Sequence, residues 1–319
     1  MLSLNEKAYK LVQRLCEDPE KYSVSTKKVG GATLIDAGIK AKGGLEAGRV
    51  ITEICMGGLG RARTFTQKYG NLELLSIFVQ SDHPALATLG SQFAGWQIKD
   101  GDFFAIGSGP ARALALKPRS IYDEIRYEDR ADVAVLVLET ASEPPEALID
   151  KFSSECRVPA DKLYVILTPT TSMAGSTQVS GRIVETGLHK LTKLGFDPLN
   201  VKYAWGYAPI APVHPKFSKA MGKTNDVILY GGAASYALIH EDDDELKALL
   251  KRAPSSASKQ YGKPFSQIFK EADHDFYKID PNLFAPAVFI VNNLKTGSVF
   301  QVGEFNVEVL RQTLGLTEL

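Results

Sequence analysis

The chain has 319 residues, of which 44% are hydrophobic and 23% charged, so it is long enough for two ordinary globular domains. Its 37 basic residues balance 37 acidic ones, which excludes the charge footprint typical of proteins that bind nucleic acid or anionic membranes. No apolar run approaches the roughly 20 residues that span a bilayer, and three scattered cysteines favour free thiols in a reducing compartment. We therefore expect a cytoplasmic protein.

Helical and strand-like patterns alternate along the first hundred residues. Glycine pairs after an apolar helical run are typical helix ends, and proline suits a first helical turn. The predicted elements are a helix over 4–15, a strand over 32–39, a helix over 45–56 closed by Gly57 and Gly58, a strand over 72–79, and a helix over 84–93 beginning at Pro84.

Two continuous apolar runs follow, VAVLVL at 133–138 and LYVIL at 163–167. Runs of this kind are typical of strands that are buried on both faces. A helical pattern over 143–156 separates them, and a strand, helix, strand order favours parallel pairing with a right-handed crossover. This segment predicts the centre of a parallel sheet.

Strand-like runs continue over 201–208 and 227–230, and two further runs at 287–291 and 298–302 predict a hairpin before a final helix over 305–314. The acidic segment HEDDDE at 240–245 is interpreted as a helix start, where acidic side chains offset the helix dipole. We expect the final hairpin and helix to pack on the N-terminal part. The predicted domains are then 1–95 with 275–319, and 96–274.

The first candidate site is the segment GSGPAR at 107–112, which follows a strand-like run and opens a helical one. Free N–H groups at such a turn, with Ser108 and Arg112, would suit an anion. Arg112 occupies the place of the third glycine in a dinucleotide fingerprint, so that motif is incomplete. The pattern is equally compatible with an ordinary tight turn.

The second candidate is the segment 168–195, in which a polar loop precedes a helix predicted over 176–194. Arg182, Glu185 and His189 share one face of that helix, opposite a broad apolar arc. On pattern alone the face is a solvated stripe with an ordinary ion pair. Gly181 and Gly187 weaken the helix but permit close approach of another helix or a flat ligand.

The third candidate is YAWGYAPIAPVHP at 203–215, whose prolines exclude a regular helix. It predicts either a flat apolar pocket wall or a rigid connecting loop. The sequence has no serine protease order, HExxH, P-loop or zinc spacing. The residues alone thus indicate an α/β enzyme without a metal and do not specify its reaction.

Four stretches together resemble the methenyltetrahydromethanopterin cyclohydrolase family: AIGSGPARALA, TPTTSMAGSTQVSGRIVETGLHKL, APIAPVHP and GKTNDVILYGG. The resemblance implies two α/β domains with a pocket between them, in a homo-oligomer that is typically a trimer. It implies no metal and no redox cofactor, because tetrahydromethanopterin is itself the carrier of the substrate. The reaction implied is reversible hydrolysis of the methenyl bridge to a ring-nitrogen formyl group.

The resemblance also implies roles for individual residues. Glu185 matches the family carboxylate that takes a proton from water, and Arg182 matches the arginine that orients this carboxylate and keeps it ionised. His189 is not expected to contact the substrate, and the resemblance gives it no role. The substrate-binding residues expected are Ser91, Gln92 and Phe93 against the pterin, and Ser108, Gly109 and Arg112 at the anionic tail.

Two other functions stay open at this point. A nucleotide-binding oxidoreductase or kinase-like enzyme would use the GSGPAR turn, but the third glycine and a P-loop lysine are both missing. A pterin carrier that binds the substrate without converting it would look the same in sequence.

Overall fold

The computed structural model describes residues 2–273, 275 and 278–316. Within these residues the chain divides into two units, each built on a six-stranded sheet with helices. The first unit covers the residues up to 62 together with 85–179, and the second covers 63–84 and the residues from 180 onward. The prediction of two α/β domains is confirmed.

The first sheet has a parallel centre and antiparallel edges. Its three central strands are parallel to one another, and the outer pairings are antiparallel. With strands numbered in chain order over both sheets, its members are β1 (Ser25–Val29), β2 (Ala32–Asp36), β5 (Trp96–Asp100), β6 (Phe103–Ser108), β7 (Ala134–Glu139) and β8 (Leu163–Leu167), in the spatial order β1-β2-β8-β7-β6-β5.

The position of β7 in the sheet explains why its sequence is apolar without interruption. Val135 and Val137 belong to the core formed with the helices that contain Leu11 and Ile51. Leu136 belongs to the core on the opposite face. Because successive side chains alternate between faces, a strand covered on both sides must be apolar at every position. The predicted parallel pair 133–138 and 163–167 is confirmed.

Helices flank the first sheet. Asn5, on the first of them, is buried and joins it to the sheet, because its amide accepts from the Val135 N–H and donates to Pro110 O. The helices of this part are α1 (Leu4–Glu17), α2 (Pro19–Tyr22), α3 (Leu45–Cys55), α4 (Pro84–Ala87), α5 (Ala111–Ala115), α6 (Arg119–Ile125), α7 (Glu146–Cys156) and α8 (Met173–Ser180), with a π-helical turn at Thr88–Gln92 and a 3₁₀ turn at Ala160–Lys162.

The second sheet is mostly antiparallel, with one parallel pair at β10–β11. The predicted C-terminal hairpin is its β11–β12 pair and is confirmed. Its members are β3 (Gly60–Tyr69), β4 (Leu72–Ser81), β9 (Val201–Pro209), β10 (Ala233–Leu238), β11 (Val288–Asn293) and β12 (Val299–Gly303), in the spatial order β12-β11-β10-β9-β4-β3.

One face of β9 is covered and the other is open over part of its length. Ala204 and Ala208 are buried, whereas Tyr203 and Trp205 are exposed. The helices of this unit are α9 (Ile183–Lys193), α10 (Phe217–Gly231), α11 (Asp243–Leu250), α12 (Phe265–Glu271) and α13 (Val307–Leu314), with 3₁₀ turns at Pro198–Asn200, Ser255–Ala257 and Pro281–Leu283.

One predicted element of this unit needs correction. The apolar run 227–230 is not a strand but the end of α10, because a short apolar run buried in a helix looks the same as a buried strand. The strand predicted over 201–208 is confirmed as β9, so the third candidate segment, 203–215, is irregular only after Pro209. The acidic run 240–245 does begin a helix, with Asp242 as its cap.

The predicted domain borders do not coincide with the two units. Strand β2 pairs with β1 and with β8, so residues 25–36 share a sheet with residues 163–167. The final hairpin pairs with β10, in the unit that also contains residues 63–84, and Arg311 of the final helix donates to the Asn71 side chain at 3.1 Å. The expected packing on the N-terminal part therefore holds for residues 63–84 and not for residues 1–62 or 85–95. Long-range strand pairing decides these borders, and no local pattern reveals it.

Candidate active site

The segment carrying Arg182 and Glu185 is broken, not one continuous helix. Helix α8 ends at Ser180 and α9 begins at Ile183, so Gly181 and Arg182 form the junction. Glycine has a low helix propensity, which favours a break at this point. The Arg182 carbonyl accepts from the N–H of Thr186 at 2.8 Å, so Arg182 caps the first turn of α9. The prediction of a helix over 176–194 is wrong at this junction.

Arg182 and Glu185 are both buried, with 8% and 6% of their surfaces exposed. Their interpretation as a solvated stripe is therefore wrong. A charged group withdrawn from water is costly unless other groups compensate it. Glu185 lies in the first turn of α9, where the positive end of the helix dipole stabilises a carboxylate. Such a carboxylate, held in a fixed place and partly shielded from water, suits proton transfer.

Helix α9 lies very close to the sheet beneath it. A methyl group added at Gly187 would meet the Tyr236 hydroxyl at 2.1 Å, and one added at Gly206 would meet the Val184 side chain at 3.3 Å. The two glycines thus let helix and strands approach. Gly187 was expected to admit another helix or a flat ligand, and its neighbour is instead a tyrosine of β10.

His189 lies on α9 one turn beyond Glu185 and is partly buried. Burial, with a smaller contribution from Lys193, lowers the pKa of His189 to about 4. The ring is therefore neutral at physiological pH. It therefore adds no charge to the helical face that the sequence pattern assigned to it.

The predicted pterin contacts Ser91 and Gln92 lie in the π-helical turn Thr88–Gln92, and Phe93 follows it. Turns of this type are rare in proteins, and those that occur often lie at functional sites. Ser91 and Gln92 are fully buried, and the Ser91 hydroxyl has no hydrogen-bond partner within the described part of the chain. Buried hydroxyls usually have partners, so this one is a candidate contact for a ligand or an ordered water.

Arg112, predicted at the anionic tail, supports this turn. Its guanidinium donates to the carbonyls of Leu89 and Ser91 at 3.2 and 3.3 Å and to that of Lys117 at 2.7 Å. It also stacks over the Phe93 and Tyr122 rings. Arg112 is fully buried, and these three bonds engage its Nε and Nη1 donors within the protein, whereas its predicted role at the anionic tail stays a prediction.

The rest of the GSGPAR turn is also engaged within the protein. The Gly109 N–H donates to the Ser91 carbonyl at 2.9 Å, and the Ser108 hydroxyl lies 3.5 Å from the Val137 carbonyl. The helix that follows has five residues. The bond from Gly109 links this turn to the Thr88–Gln92 segment, and binding of an anion at the turn stays a prediction.

Sequence reasoning missed two buried residues, Cys55 and Thr168. The Cys55 sulfur lies 3.9 Å from both the Ser108 hydroxyl and the Gln178 carbonyl oxygen. The buried Thr168 hydroxyl has no hydrogen-bond partner among the residues described. Thr168 directly follows β8, and the carboxyl ends of parallel strands are common ligand sites, so its position was a usable signal. Cys55 carried no such signal.

The chain was compared with known proteins. The sequence model of the family described as Cyclohydrolase (MCH) matches residues 3–314. A methenyltetrahydromethanopterin cyclohydrolase of Methanothermobacter marburgensis is 49% identical over 99% of this chain and its own full length. The chain belongs to the methenyltetrahydromethanopterin cyclohydrolase family. Enzymes of the same name from Methanocaldococcus jannaschii and Methanobrevibacter smithii are 46% and 42% identical, over 99% or more of both chains.

Membership of the cyclohydrolase family confirms the resemblance seen in the sequence and makes this chain a hydrolase. Among the described residues, no helix is long and apolar enough to cross a bilayer. Within the same residues, no three His, Cys, Asp or Glu side chains converge as a metal site.

Proposed function

We propose that the protein catalyses the reversible hydrolysis of methenyltetrahydromethanopterin in one-carbon metabolism. Water adds to the methenyl carbon that bridges the ring nitrogen and the aryl-amine nitrogen. The bond to the aryl amine then breaks and its nitrogen takes up a proton. A formyl group stays on the ring nitrogen, and one proton is released in each turnover. The observation that carries the proposal is the match of the whole chain to enzymes of this name, at 42–49% identity.

The substrate needs little activation, because its methenyl carbon is part of a cation delocalised over two nitrogens. The missing component is an oriented water that loses a proton as it attacks. We propose that Glu185 accepts this proton. A positioned carboxylate acting as general base raises the rate by about 10²–10⁴-fold. Its negative charge also attracts the cation. Burial strengthens both effects by reducing solvent screening.

Arg182 has a different role in this proposal. A cation beside a cationic substrate repels it, so the guanidinium is a poor binding group. Arg182 caps the helix on which Glu185 lies and precedes it by three residues. We propose that it orients the carboxylate, keeps it ionised and limits its pairing with the substrate cation.

We propose that Ser91, Gln92 and Phe93 contact the pterin, supported by the π-helical turn and the unpaired Ser91 hydroxyl in the described structure. Ser108, Gly109 and Arg112 stay proposed for the substrate tail. Arg112 is also proposed to hold the segment Thr88–Gln92, since it donates to backbone carbonyls there.

We further propose that the reaction needs no redox cofactor, because hydrolysis transfers no electrons, and no metal, because the methenyl carbon is already electrophilic without a Lewis acid. Dialysis against a chelator should leave turnover unchanged.

The three free cysteines favour a reducing, cytoplasmic location. A homo-oligomer, with a trimer favoured by the family resemblance, is proposed for the assembly and is testable by light scattering.

The decisive experiment separates an enzyme from a pterin carrier. Purified protein is mixed with a large molar excess of methenyl substrate, and the absorbance of the methenyl chromophore is followed. An enzyme discharges the absorbance over many turnovers. A carrier would change it by no more than one equivalent, and that result would overturn the proposal. Titration with nucleotides tests the other alternative, which tight binding would revive.

A further inference from the structure

Tyr236 is joined by a hydrogen bond to the peptide group that precedes Glu185. Its ring lies in the middle of β10, fully buried, and its hydroxyl donates to the Val184 carbonyl at 2.8 Å. The Val184 carbonyl and the Glu185 N–H belong to one peptide unit. Because a peptide unit is planar, a bond that holds the Val184 oxygen also fixes the orientation of the Glu185 backbone.

The space between Tyr236 and helix α9 is also narrow. A methyl group placed on Gly187 would come within 2.1 Å of the Tyr236 hydroxyl and 3.1 Å of Cγ of Pro286. One turn earlier, the Val184 side chain faces Gly206 of β9, which has no side chain. The first turns of α9 therefore pack closely against the sheet. Tyr236 makes a hydrogen bond between the sheet and these turns.

The chemical state of Tyr236 suits this hydrogen bond. Burial raises its pKa well above the usual value, and the Glu185 carboxylate raises it further. The hydroxyl thus stays protonated and remains a donor at every physiological pH.

We propose that Tyr236 is a positioning residue for the cyclohydrolase reaction, which sets the Glu185 carboxylate through the Val184 peptide while Gly187 provides the space. The inference rests on the proposed role of Glu185 as general base. It assigns Tyr236 no contact with substrate. A general base acts only within hydrogen-bond reach of its proton, so a small shift of α9 lowers turnover more than binding.

The test uses Tyr236→Phe, which removes only the hydroxyl. We expect kcat to fall about tenfold, since a displacement well under 1 Å is enough for such a loss. KM should change less than twofold. The matched control is Tyr230→Phe, because Tyr230 is also buried and donates to a backbone carbonyl, that of Lys263 in the same unit. It should keep its kcat even where its melting temperature falls equally. Equal kcat for the two variants would overturn the proposal.

A double-mutant cycle with Glu185→Gln isolates the positioning effect. A residue that acts through Glu185 has nothing to position once that carboxylate is gone. We therefore expect Tyr236→Phe to cost about tenfold in the native background and less than twofold in Glu185→Gln. Equal losses in both backgrounds would mean a general structural role and would overturn the inference. Normal turnover of Glu185→Gln alone would instead refute the proposed general base.

Gly187→Ala gives a second route if Tyr236→Phe folds poorly. The added methyl must displace either the tyrosine or the helix, so kcat should fall more than for Tyr236→Phe. Removal of the hydroxyl in the Gly187→Ala background should restore part of that loss, because the closest clash disappears. A double variant with the full product of both losses would contradict the proposed contact.

Discussion

The guanidinium of Arg112 donates to the main-chain carbonyl of Ser91 at 3.3 Å, across 21 residues of sequence. Neighbouring carbonyls are held in the same way, Leu89 by Arg112 and Gly90 by the Tyr122 hydroxyl. Three consecutive carbonyls of the π-helical turn thus accept from side chains outside it, which help to define its shape. The segment proposed to contact the pterin is thus shaped by a buried arginine.

This arrangement predicts the effect of Arg112→Lys. Lysine keeps the charge but lacks the planar fork that serves separate carbonyls at once. We expect a stability loss of about 2–3 kcal/mol, because buried carbonyls lose their donors. KM should rise, with kcat at saturation close to that of the native protein. Thermal denaturation and steady-state kinetics measure both.

The control for Arg112→Lys is Arg119→Lys, at a position whose side chain is 73% exposed in a surface ion pair with Asp123. Surface substitutions usually change stability by less than about 0.5 kcal/mol. If the two variants melted at the same temperature, the supporting role of Arg112 would be wrong.

A buried carboxyl predicts one pH dependence of stability. Asp226 accepts from the Phe265 N–H and the Thr313 hydroxyl, both at 2.7 Å, and burial raises its pKa to about 7. Between about pH 4 and 7 the folded state therefore keeps a proton that the unfolded chain loses. The stability this provides is complete below about pH 4 and lost as the pH rises towards 7.

Asp226→Asn should remove this dependence, which has a slope of up to about 1.4 kcal/mol per pH unit for one proton. The melting temperature of the native protein minus that of the variant should therefore fall as the pH rises from 4.5 to 7, because the contribution of His189 is common to both proteins. Parallel curves would show that Asp226 is not protonated in the folded state.

His189 predicts a dependence of the opposite sign. Its folded-state pKa is about 4, below the unfolded value near 6.5, so the unfolded chain binds a proton first as the pH falls. Stability is therefore lost as the pH drops from about 6.5 to 4. His189→Gln should abolish this loss, whereas the exposed His83→Gln should not. If the stability of His189→Gln fell between pH 6.5 and 4 as much as that of the native protein, the lowered pKa of His189 would be wrong.

Much of the fold was predictable where local pattern reflects burial. Strands β7 and β8 are covered on both faces, so their apolar runs indicated a parallel pair, and Asp242 indicated the start of α11. The domain borders and the 227–230 helix were not predictable. They depend on which distant strands pair and on what covers a short apolar run.

The candidate site was predictable in part for the same reason. Glu185 and Arg182 came from the resemblance, since periodicity alone placed them on a solvated face. Their burial and the break at Gly181 appear only in the structure. The role of Arg112 could not be read from its own segment, because its partners are carbonyls about 20 residues earlier. Tyr236 lies in an apolar strand and carried no signal of its contact with Val184.

The most direct test of the account is the turnover of Glu185→Gln, followed by the loss of methenyl absorbance. Glutamine keeps the size of the side chain but cannot accept the proton. We expect kcat to fall by at least about 100-fold, within the range for loss of a general base, with a native melting curve. Glu53→Gln, at another buried glutamate, serves as the control and should keep its turnover. A kcat for Glu185→Gln within about threefold of the native value would contradict the account, since general-base catalysis contributes far more.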